Sequence, residues 1–148
     1  MKPRSRMFST FAWYFLSPNG RISRQEFRLG FLGIVLVYIL LVRSWRNLTI
    51  PPVRYYVSPD VNPPYDGSVR LALLIVLWPL IAILAKRLHD LNVSGWWLLT
   101  LLAIPLVASA INISVSIPYL LIVAFLSFFP GGYGDNRFGR DPLARAGI

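Results

Sequence analysis

The chain has 148 residues, 55% hydrophobic and 14% charged, whereas a soluble domain carries about 25% charged residues, so the composition favours one integral membrane domain. The net charge of +9 does not point to nucleic acid, because the cations flank apolar runs instead of covering one soluble face; anionic lipid is the acidic partner that we expect. The absence of cysteine excludes disulfides and thiolate zinc sites, and a single histidine cannot build a histidine-rich centre, so no metal or cofactor is expected.

Residues 1–22 are basic at first and then aromatic, a pattern typical of a helix that lies in the membrane interface. Trp13 is the kind of residue that rests at the depth of the lipid headgroups. No small-residue cleavage site follows the apolar part, so we expect this segment to be retained and not removed as a signal peptide.

A first transmembrane helix is predicted over residues 23–43. Ser23 and Glu26 have the three-residue spacing of a capping box at a helix start. The uncharged part of this helix is shorter than the roughly 20 residues that a span needs, so arginine side chains at both ends are expected to extend it by reaching outward. Trp45 fits the far interface.

The next segment, residues 44–68, is interrupted by five prolines, which rule out a continuous helix. We interpret it as an extracytoplasmic loop, with a short strand at 53–57 as an option. A second transmembrane helix is predicted over residues 69–89, and a kink is expected at Pro79.

The stretch from Trp96 to Phe129 carries no charged side chain. As one straight helix it would reach about 50 Å, against about 30 Å of hydrocarbon. A hairpin of two short transmembrane helices, 95–111 and 114–129, is therefore predicted. A single crossing is the alternative, and it would leave residues 130–148 outside the cytoplasm.

These segments predict an all-α membrane protein with about four transmembrane helices, the third and fourth forming a short hairpin, plus an N-terminal interfacial helix. With four spans, residues 1–28, 86–95 and 130–148 share one side, which holds eleven of the 15 Lys and Arg residues. Cytoplasmic loops carry the excess of Lys and Arg. The N-terminus and the tail 130–148 are therefore predicted to be cytoplasmic.

Three polar, glycine-containing motifs lie between the apolar runs: residues 20–27, residues 87–90 with 94–97, and residues 130–139. Four spans bring all three to one face of the bilayer. Their polar side chains are candidates for binding an anionic headgroup or for packing the motifs together, namely Arg21, Arg24, Arg87, His89, Asp90, Asn136, Arg137 and Arg140.

Asp90 is predicted to be an ionic anchor, because an acid at a helix C-terminus is unfavourable unless a cation pairs with it. Arg87, three residues earlier, is within reach. Arginines of the other motifs could also approach it, namely Arg21, Arg24 or Arg137. His89 and Asp90 are the least implausible acid/base pair, but adjacent helix residues point about 100° apart, so we assign no catalytic residue.

The glycines of the third motif permit backbone conformations that other residues rarely adopt. They indicate either a turn packed beneath the helices or a nest of amides that holds an anion with the help of Arg137 and Arg140. In the second motif, Ser94 is predicted to cap the third helix, and Trp96 and Trp97 are predicted to be interfacial anchors.

The ordered trio of motifs resembles the family called domain of unknown function 805, whose members are small bacterial inner-membrane proteins. The residues that carry the resemblance are Gly20, Arg21, Arg24, Glu26 and Phe27, then 87–90 with 94–97, then Pro130, Gly131, Gly134, 136–139, Asp141 and Pro142. Arg28 departs from the family, which usually has Trp there, and the apolar segment after Trp97 is longer than usual. The resemblance implies a multi-pass protein of the bacterial cytoplasmic membrane and brings no assigned chemistry.

We therefore expect a non-catalytic membrane protein that binds anionic lipid headgroups or a protein partner at the cytoplasmic face, as a monomer or a homo-oligomer. A subunit of an oligomeric transporter or channel is one alternative, and a membrane enzyme acting on lipid headgroups is another. Residues 29–42, 71–85 and 96–129 hold no charged side chain, which disfavours an ion pathway through a single chain.

Overall fold

Residues 3–49 and 65–145 are described by the computed structural model, and within these two ranges the chain forms helices and no β-strand. In chain order the helices are α1 (Pro3–Leu16), α2 (Arg24–Thr49), α3 (Tyr65–Asp90), a 3₁₀ helix (Gly95–Ala103) that continues into α4 (Ile104–Ala110), α5 (Ser116–Phe128) and α6 (Pro142–Arg145). The predicted all-α class is confirmed over these ranges. The optional strand at 53–57 lies outside the described residues.

The start of α2 forms both hydrogen bonds of a capping box. The Ser23 amide donates to Glu26 Oε2 (2.8 Å), and the Glu26 amide donates to Ser23 Oγ (3.3 Å). Ile22 and Phe27, on either side of the cap, are fully buried, which fixes the angle at which the chain enters the helix. The helix extends to Thr49, the last described residue of this range, and so passes the predicted end at 43.

The C-terminal end of α3 positions the second motif. The helix already includes Tyr65, the first described residue of this range and earlier than the predicted start at 69, and it continues through Pro79 to Asp90. Asn92 has a φ of 59°, and the Val93 amide donates back to the Leu88 carbonyl oxygen (2.9 Å). This left-handed closure is one of the common ways to satisfy the last carbonyls of a helix.

The stretch 96–129 is a hairpin and not one helix. The chain reverses at residues 111–115, where Asn112 has a φ of 54°. The outgoing arm has nine residues of 3₁₀ helix and seven of α-helix, which together reach about 28 Å because the 3₁₀ helix rises more per residue. The returning arm, α5, has 13 residues and reaches about 20 Å.

The buried core lies between α2 and α3, with α1 against α3 and α5 against α2. Burial is densest near the C-terminal end of α3, where residues 82–87 are all buried. Elsewhere most large apolar side chains are exposed, for example Leu36 on α2 and Leu74 on α3. The core therefore holds one end of the helices together and leaves their apolar flanks uncovered.

Two helices of the described ranges are long and apolar enough to cross a membrane: the 22-residue stretches Arg24–Trp45 and Val69–Asp90. Only 17% of the most apolar window of the first stretch, and 39% of that of the second, is buried. A helix in the core of a soluble protein is buried on most of its apolar positions, and these two are not.

Candidate functional site

One end of the structure, which we call the polar end, gathers the three sequence motifs. There α2 begins, α3 and α5 end, and the glycine loop, residues 130–141, follows α5. An ion-pair cluster of Arg21, Arg87 and Asp90 links these segments, and all three of its side chains are buried. The chemistry of the site is therefore built around one carboxylate and two guanidinium groups.

Arg21 joins the first motif to the other two, although it is only 2% exposed. Its Nε and Nη2 donate to Asp90 Oδ1 (3.2 and 3.0 Å). Its Nη1 donates to the carbonyls of Gly134 (2.6 Å) and Gly139 (3.4 Å), and its Nη2 also donates to that of Gly132 (2.6 Å). These contacts use all five N–H donors of a guanidinium, so no donor of Arg21 remains for an external anion.

Arg87 joins the second motif to the end of α5 and is fully buried. Its Nε donates to the Leu126 carbonyl (2.8 Å) and its Nη2 to the Phe129 carbonyl, so a cation satisfies the last carbonyls of that helix. Its Nη1 donates to Asp90 Oδ2.

Asp90 lies at the anchor position expected from the sequence, with one carboxylate oxygen on Arg21 and the other on Arg87. Within the described residues Arg24 and Arg137, which were also considered as partners, form no ion pair with it. The cluster thus holds two arginines and one carboxylate, and the Asp141 carboxylate lies close enough to Arg21 to interact with its charge.

The glycine loop turns the carbonyl groups of Gly132, Gly134 and Gly139 toward Arg21. The amides of these three glycines are paired within the protein: Gly132 N donates to Asp90 O (2.8 Å), Gly134 N to Asp141 Oδ2 (2.8 Å) and Gly139 N to Asn136 O (3.0 Å). These three glycines therefore place acceptors around a buried cation. The nest of amides that would hold an anion stays a prediction for the remaining amides of the loop.

His89 packs against the glycine loop and makes no hydrogen bond to Asp90 in the described part of the chain. Its Nδ1 lies 3.1 Å from the Gly20 carbonyl oxygen, and its ring stacks on Phe138 with centroids 4.0 Å apart and planes 5° apart. Asn136 donates from Nδ2 to the His89 carbonyl (2.9 Å). His89 and Asp90 therefore do not form a hydrogen-bonded acid/base pair in this structure. The contacts of His89 and Asn136 instead hold the glycine loop against the end of α3.

The exposed arginines of the polar end form a second group. Arg24, Arg28 and Arg140 are exposed. Their side chains have no hydrogen bond or ion pair with any residue that the structure describes. Arg137 is also exposed; its Nη2 donates weakly to the Asn92 carbonyl (3.3 Å), and its guanidinium lies 4.6 Å from the centroid of the adjacent phenyl ring. The predicted site residues thus divide into buried cations with internal partners and exposed cations on the surface.

Lys86 is a third buried cation near the polar end, and the sequence did not single it out as a site residue. It is fully buried, and its Nζ donates to the carbonyls of Trp13 and Tyr14 (2.8 Å to the latter) and lies 4.2 Å from the Trp13 ring centroid. The positive charge faces the C-terminal end of α1, where the helix dipole is negative. Its acceptors are backbone carbonyls, which leave no trace in a sequence.

The predicted interfacial residues occupy different environments. Trp96 and Trp97 are 78% and 63% exposed, and Ser94 Oγ accepts the Trp96 amide (3.4 Å) at the start of the 3₁₀ helix. Trp45 is exposed near the other end of α2. Trp13 is half-buried beneath Lys86, so part of its surface is used inside the protein.

Asp141 fastens the end of the glycine loop. Its Oδ1 accepts the Leu143 amide (2.9 Å) and its Oδ2 accepts the Gly134 amide (2.8 Å). These two hydrogen bonds, that from Leu143 first, lower the pKa of the Asp141 carboxyl below its ordinary value. The carboxylate form therefore stabilises the loop.

Comparison with known proteins finds one family and its relatives. A family model described as a protein of unknown function (DUF805) matches residues 15–140. The uncharacterized protein YiiR of Escherichia coli strain K12 is 30% identical over 146 residues, which cover 87% of each chain, and YiiR of Escherichia coli O157:H7 matches to the same extent. No solved structure matches the chain.

Proposed function

The chain belongs to the DUF805 family, and we propose that it is an integral protein of the bacterial cytoplasmic membrane that binds anionic lipid headgroups at its polar end. Its two long apolar helices and their exposed flanks support the membrane placement, because soluble monomers rarely expose such continuous apolar surface. The exposed Trp96 and Trp97, close to the end of α3, suit the depth of the headgroups.

We further propose four crossings with the N-terminus in the cytoplasm. The long helices α2 and α3 make the first two, and the hairpin of residues 95–128 makes the other two. The outgoing arm of about 28 Å is close to the hydrocarbon thickness of about 30 Å; the shorter α5 is accommodated by local thinning of the bilayer. The excess of Lys and Arg in the segments of the polar end supports a cytoplasmic location for that end.

The division of the arginines supports headgroup binding most directly. Arg21 and Arg87 are buried with internal partners, so they cannot reach a lipid. Arg24, Arg28 and Arg140 are exposed at the same end without a partner in the described residues. Unpaired cations beside an anionic leaflet attract it by about 1 kcal/mol each.

The test is native mass spectrometry of the whole chain released from bilayers of phosphatidylethanolamine with a minor fraction of phosphatidylglycerol. We expect the protein to retain the anionic lipid in excess of its share of the bilayer. The triple variant R24Q/R28Q/R140Q is expected to lose this enrichment. Each exposed cation contributes about 1 kcal/mol, so the combined loss should be at least about tenfold in relative retention.

The matched control is Arg43→Gln, which removes an exposed arginine near the opposite end of α2. Because it removes a single surface cation, it should lower the enrichment by no more than about fivefold, less than the triple variant does. Equal losses in the control and in the triple variant, or no enrichment in the parent chain, contradict headgroup binding at the polar end.

A further inference from the structure

A small pocket opens between the start of α2 and the glycine loop. Its volume is about 90 Å³, and its lining includes Ser23, Arg24, Asp90, Tyr133 and Asp141. One water molecule needs roughly 10–15 Å³ of such space, so the pocket is large enough for a compact group such as a phosphate. Most of the lining surface is apolar, so the few charged side chains decide what it binds.

The charged residues that line the pocket are not equivalent. Both oxygens of Asp90 are held by arginines of the ion-pair cluster, and each oxygen of Asp141 accepts a backbone amide. The side chain of Arg24 makes no hydrogen bond or ion pair within the residues that the structure describes. Of these charged groups, the guanidinium of Arg24 is the one with its donors still available.

The ion-pair cluster behind the pocket adds positive charge. Arg21 and Arg87 share one carboxylate, in a buried setting where electrostatic fields are weakly screened, and the Asp141 carboxylate of the pocket lining also interacts with Arg21. Arg24 lies close enough to Arg87 for the two cations to repel each other. The three arginines outnumber the two acids of this group, so an anion that pairs with Arg24 balances the remaining positive charge.

We propose that this pocket, between Arg24 and the rim residue Tyr133, is a binding site for the phosphate group of an anionic lipid. The inference rests on the proposed function and deepens it by placing one specific site within a generally basic surface. A guanidinium forms paired hydrogen bonds to phosphate oxygens. Tyr133 is 90% exposed at the rim, where its phenol can donate to an oxygen of the same group.

The decisive comparison is Arg24→Gln against Arg28→Gln. Both residues are exposed arginines in the first turns of α2, but only Arg24 lines the pocket. In bilayers of phosphatidylethanolamine with phosphatidylglycerol, R28Q is expected to lower the retained anionic lipid by no more than about fivefold, the effect of one surface cation. R24Q is expected to lower it by at least about fiftyfold, because it removes the same surface attraction and also a charge-assisted contact.

A second pair of variants keeps the test decisive if R24Q folds poorly at the start of α2. Leu143→Glu places a carboxylate in the pocket lining, whereas Ala144→Glu places one beside it, on an exposed residue outside that lining. Only L143E should weaken lipid retention. In a separate arm, inorganic phosphate is titrated onto the chain in neutral-lipid nanodiscs and followed by ³¹P NMR line width; binding there that needs Arg24 identifies free phosphate as an occupant of the same pocket.

The outcomes separate the pocket from the general proposal. Equal losses in R24Q and R28Q overturn the pocket and leave diffuse headgroup binding intact, as do equal losses in L143E and A144E. No anionic enrichment in the parent chain, together with no response to phosphate, overturns both.

Discussion

At the scale of single residues, the site depends on one carboxylate that serves two guanidinium groups. Asp90 is the acid of the ion-pair cluster, and both of its oxygens are engaged. Removing one member of a buried ionic group costs more than removing an exposed pair, because the remaining charges stay buried without compensation. Neutralising Asp90 should therefore damage stability before it affects any binding.

Asp90→Asn is expected to lower the free energy of unfolding by about 3–5 kcal/mol, measured by denaturation in mild detergent. Asp135→Asn is the matched control, because Asp135 is an exposed acid of the glycine loop. Its Oδ1 accepts the Asp141 amide (2.9 Å), and the side-chain oxygen of an asparagine can accept the same hydrogen bond. The control should stay within about 0.5 kcal/mol. Equal effects of the two substitutions argue against the cluster as the main ionic link.

Gly131 and Gly33 should respond in opposite ways to alanine. A Cβ on Gly131 would collide with the Asp90 carboxylate, whereas a Cβ on Gly33 meets nothing within 4 Å. We expect Gly131→Ala to destabilise the protein by about 1–3 kcal/mol through overpacking, and Gly33→Ala to stabilise it by about 0.5–1 kcal/mol through helix propensity. Thermal unfolding in detergent measures both, and a stable G131A would show that the loop can move away from Asp90.

The pH dependence of the loop follows from Asp141. Its carboxyl pKa is lowered in the folded protein, so its contribution to loop stability is complete above the ordinary pKa of about 3.9 and is lost as the pH falls through the lower, folded value. Below pH about 4 the amides of Gly134 and Leu143 should exchange faster with solvent, after correction for intrinsic rates. In Asp141→Asn that acid-dependent step should disappear, and its persistence would assign the step to another group.

The residue scale also shows what the sequence can and cannot predict. The Ser23–Glu26 capping box follows a local rule and is visible in the sequence. The burial of Arg21 is not visible, because its acceptors are carbonyls of the glycine loop, more than 100 positions away, and every residue type has a carbonyl. A basic N-terminal segment suggests that its arginines lie on the surface. Only the folded structure shows that Arg21 is buried whereas Arg24 is exposed.

At the scale of helices, α1 is attached to the rest by a few polar contacts at its C-terminal end. Lys86 donates to its last carbonyls, Tyr14 donates to the Glu26 carbonyl, and Trp78 Nε1 donates to the Leu16 carbonyl (2.9 Å). The sequence predicts an interfacial helix here but not its docking, since the docking depends on the backbone. These contacts join the C-terminal part of α1 to α3 and, through Glu26, to α2.

Lys86→Met should release that end while preserving most of the side-chain volume. We expect faster hydrogen exchange of the amides in residues 12–16, because the carbonyls lose their cationic cap. Arg28→Met is the control, as it removes an exposed cation of α2 that touches none of these carbonyls. The role given to Lys86 fails if exchange in this segment rises equally in both variants or in neither.

For the hairpin, the length of the apolar stretch predicts that the chain reverses but does not predict the type of helix in each arm. Hydrocarbon thickness argues against one helix over 96–129, and the reversal at 111–115 agrees with that argument. The 3₁₀ geometry of Gly95–Ala103 has no comparable signature in the sequence. It lengthens the outgoing arm by about 4 Å relative to an α-helix of the same residues.

At the scale of the whole molecule, the polar end joins three separate chain segments and the apolar flanks remain uncovered. This asymmetry predicts one topology in the membrane, with both described termini near the polar end. The native chain has no cysteine, so single introduced cysteines report their side of the membrane without background. Labelling with a membrane-impermeant maleimide in oriented vesicles is therefore a direct measurement.

Ser114→Cys, in the reversal of the hairpin, should react from the extracytoplasmic side, and Ile148→Cys should react from the cytoplasmic side. The physical reason is that α5 returns the chain to the end where α2 begins, while most of the cationic residues cluster there. Reaction of Ile148→Cys from outside would refute the even number of crossings. Protection of Ser114→Cys from both sides would make the hairpin re-entrant.

The partners that enclose the two buried arginines are distributed unevenly along the chain, and this has a consequence for biosynthesis. Arg21 and Arg87 are translated early, whereas the carbonyls of residues 126–139 that surround them emerge from the ribosome much later. A nascent chain that stops before Pro130 already contains all the apolar segments but leaves Arg21 without its carbonyl acceptors. Completion of the last turn-forming segment thus supplies the missing acceptors, and a prematurely terminated product is expected to be less stable and to be degraded faster.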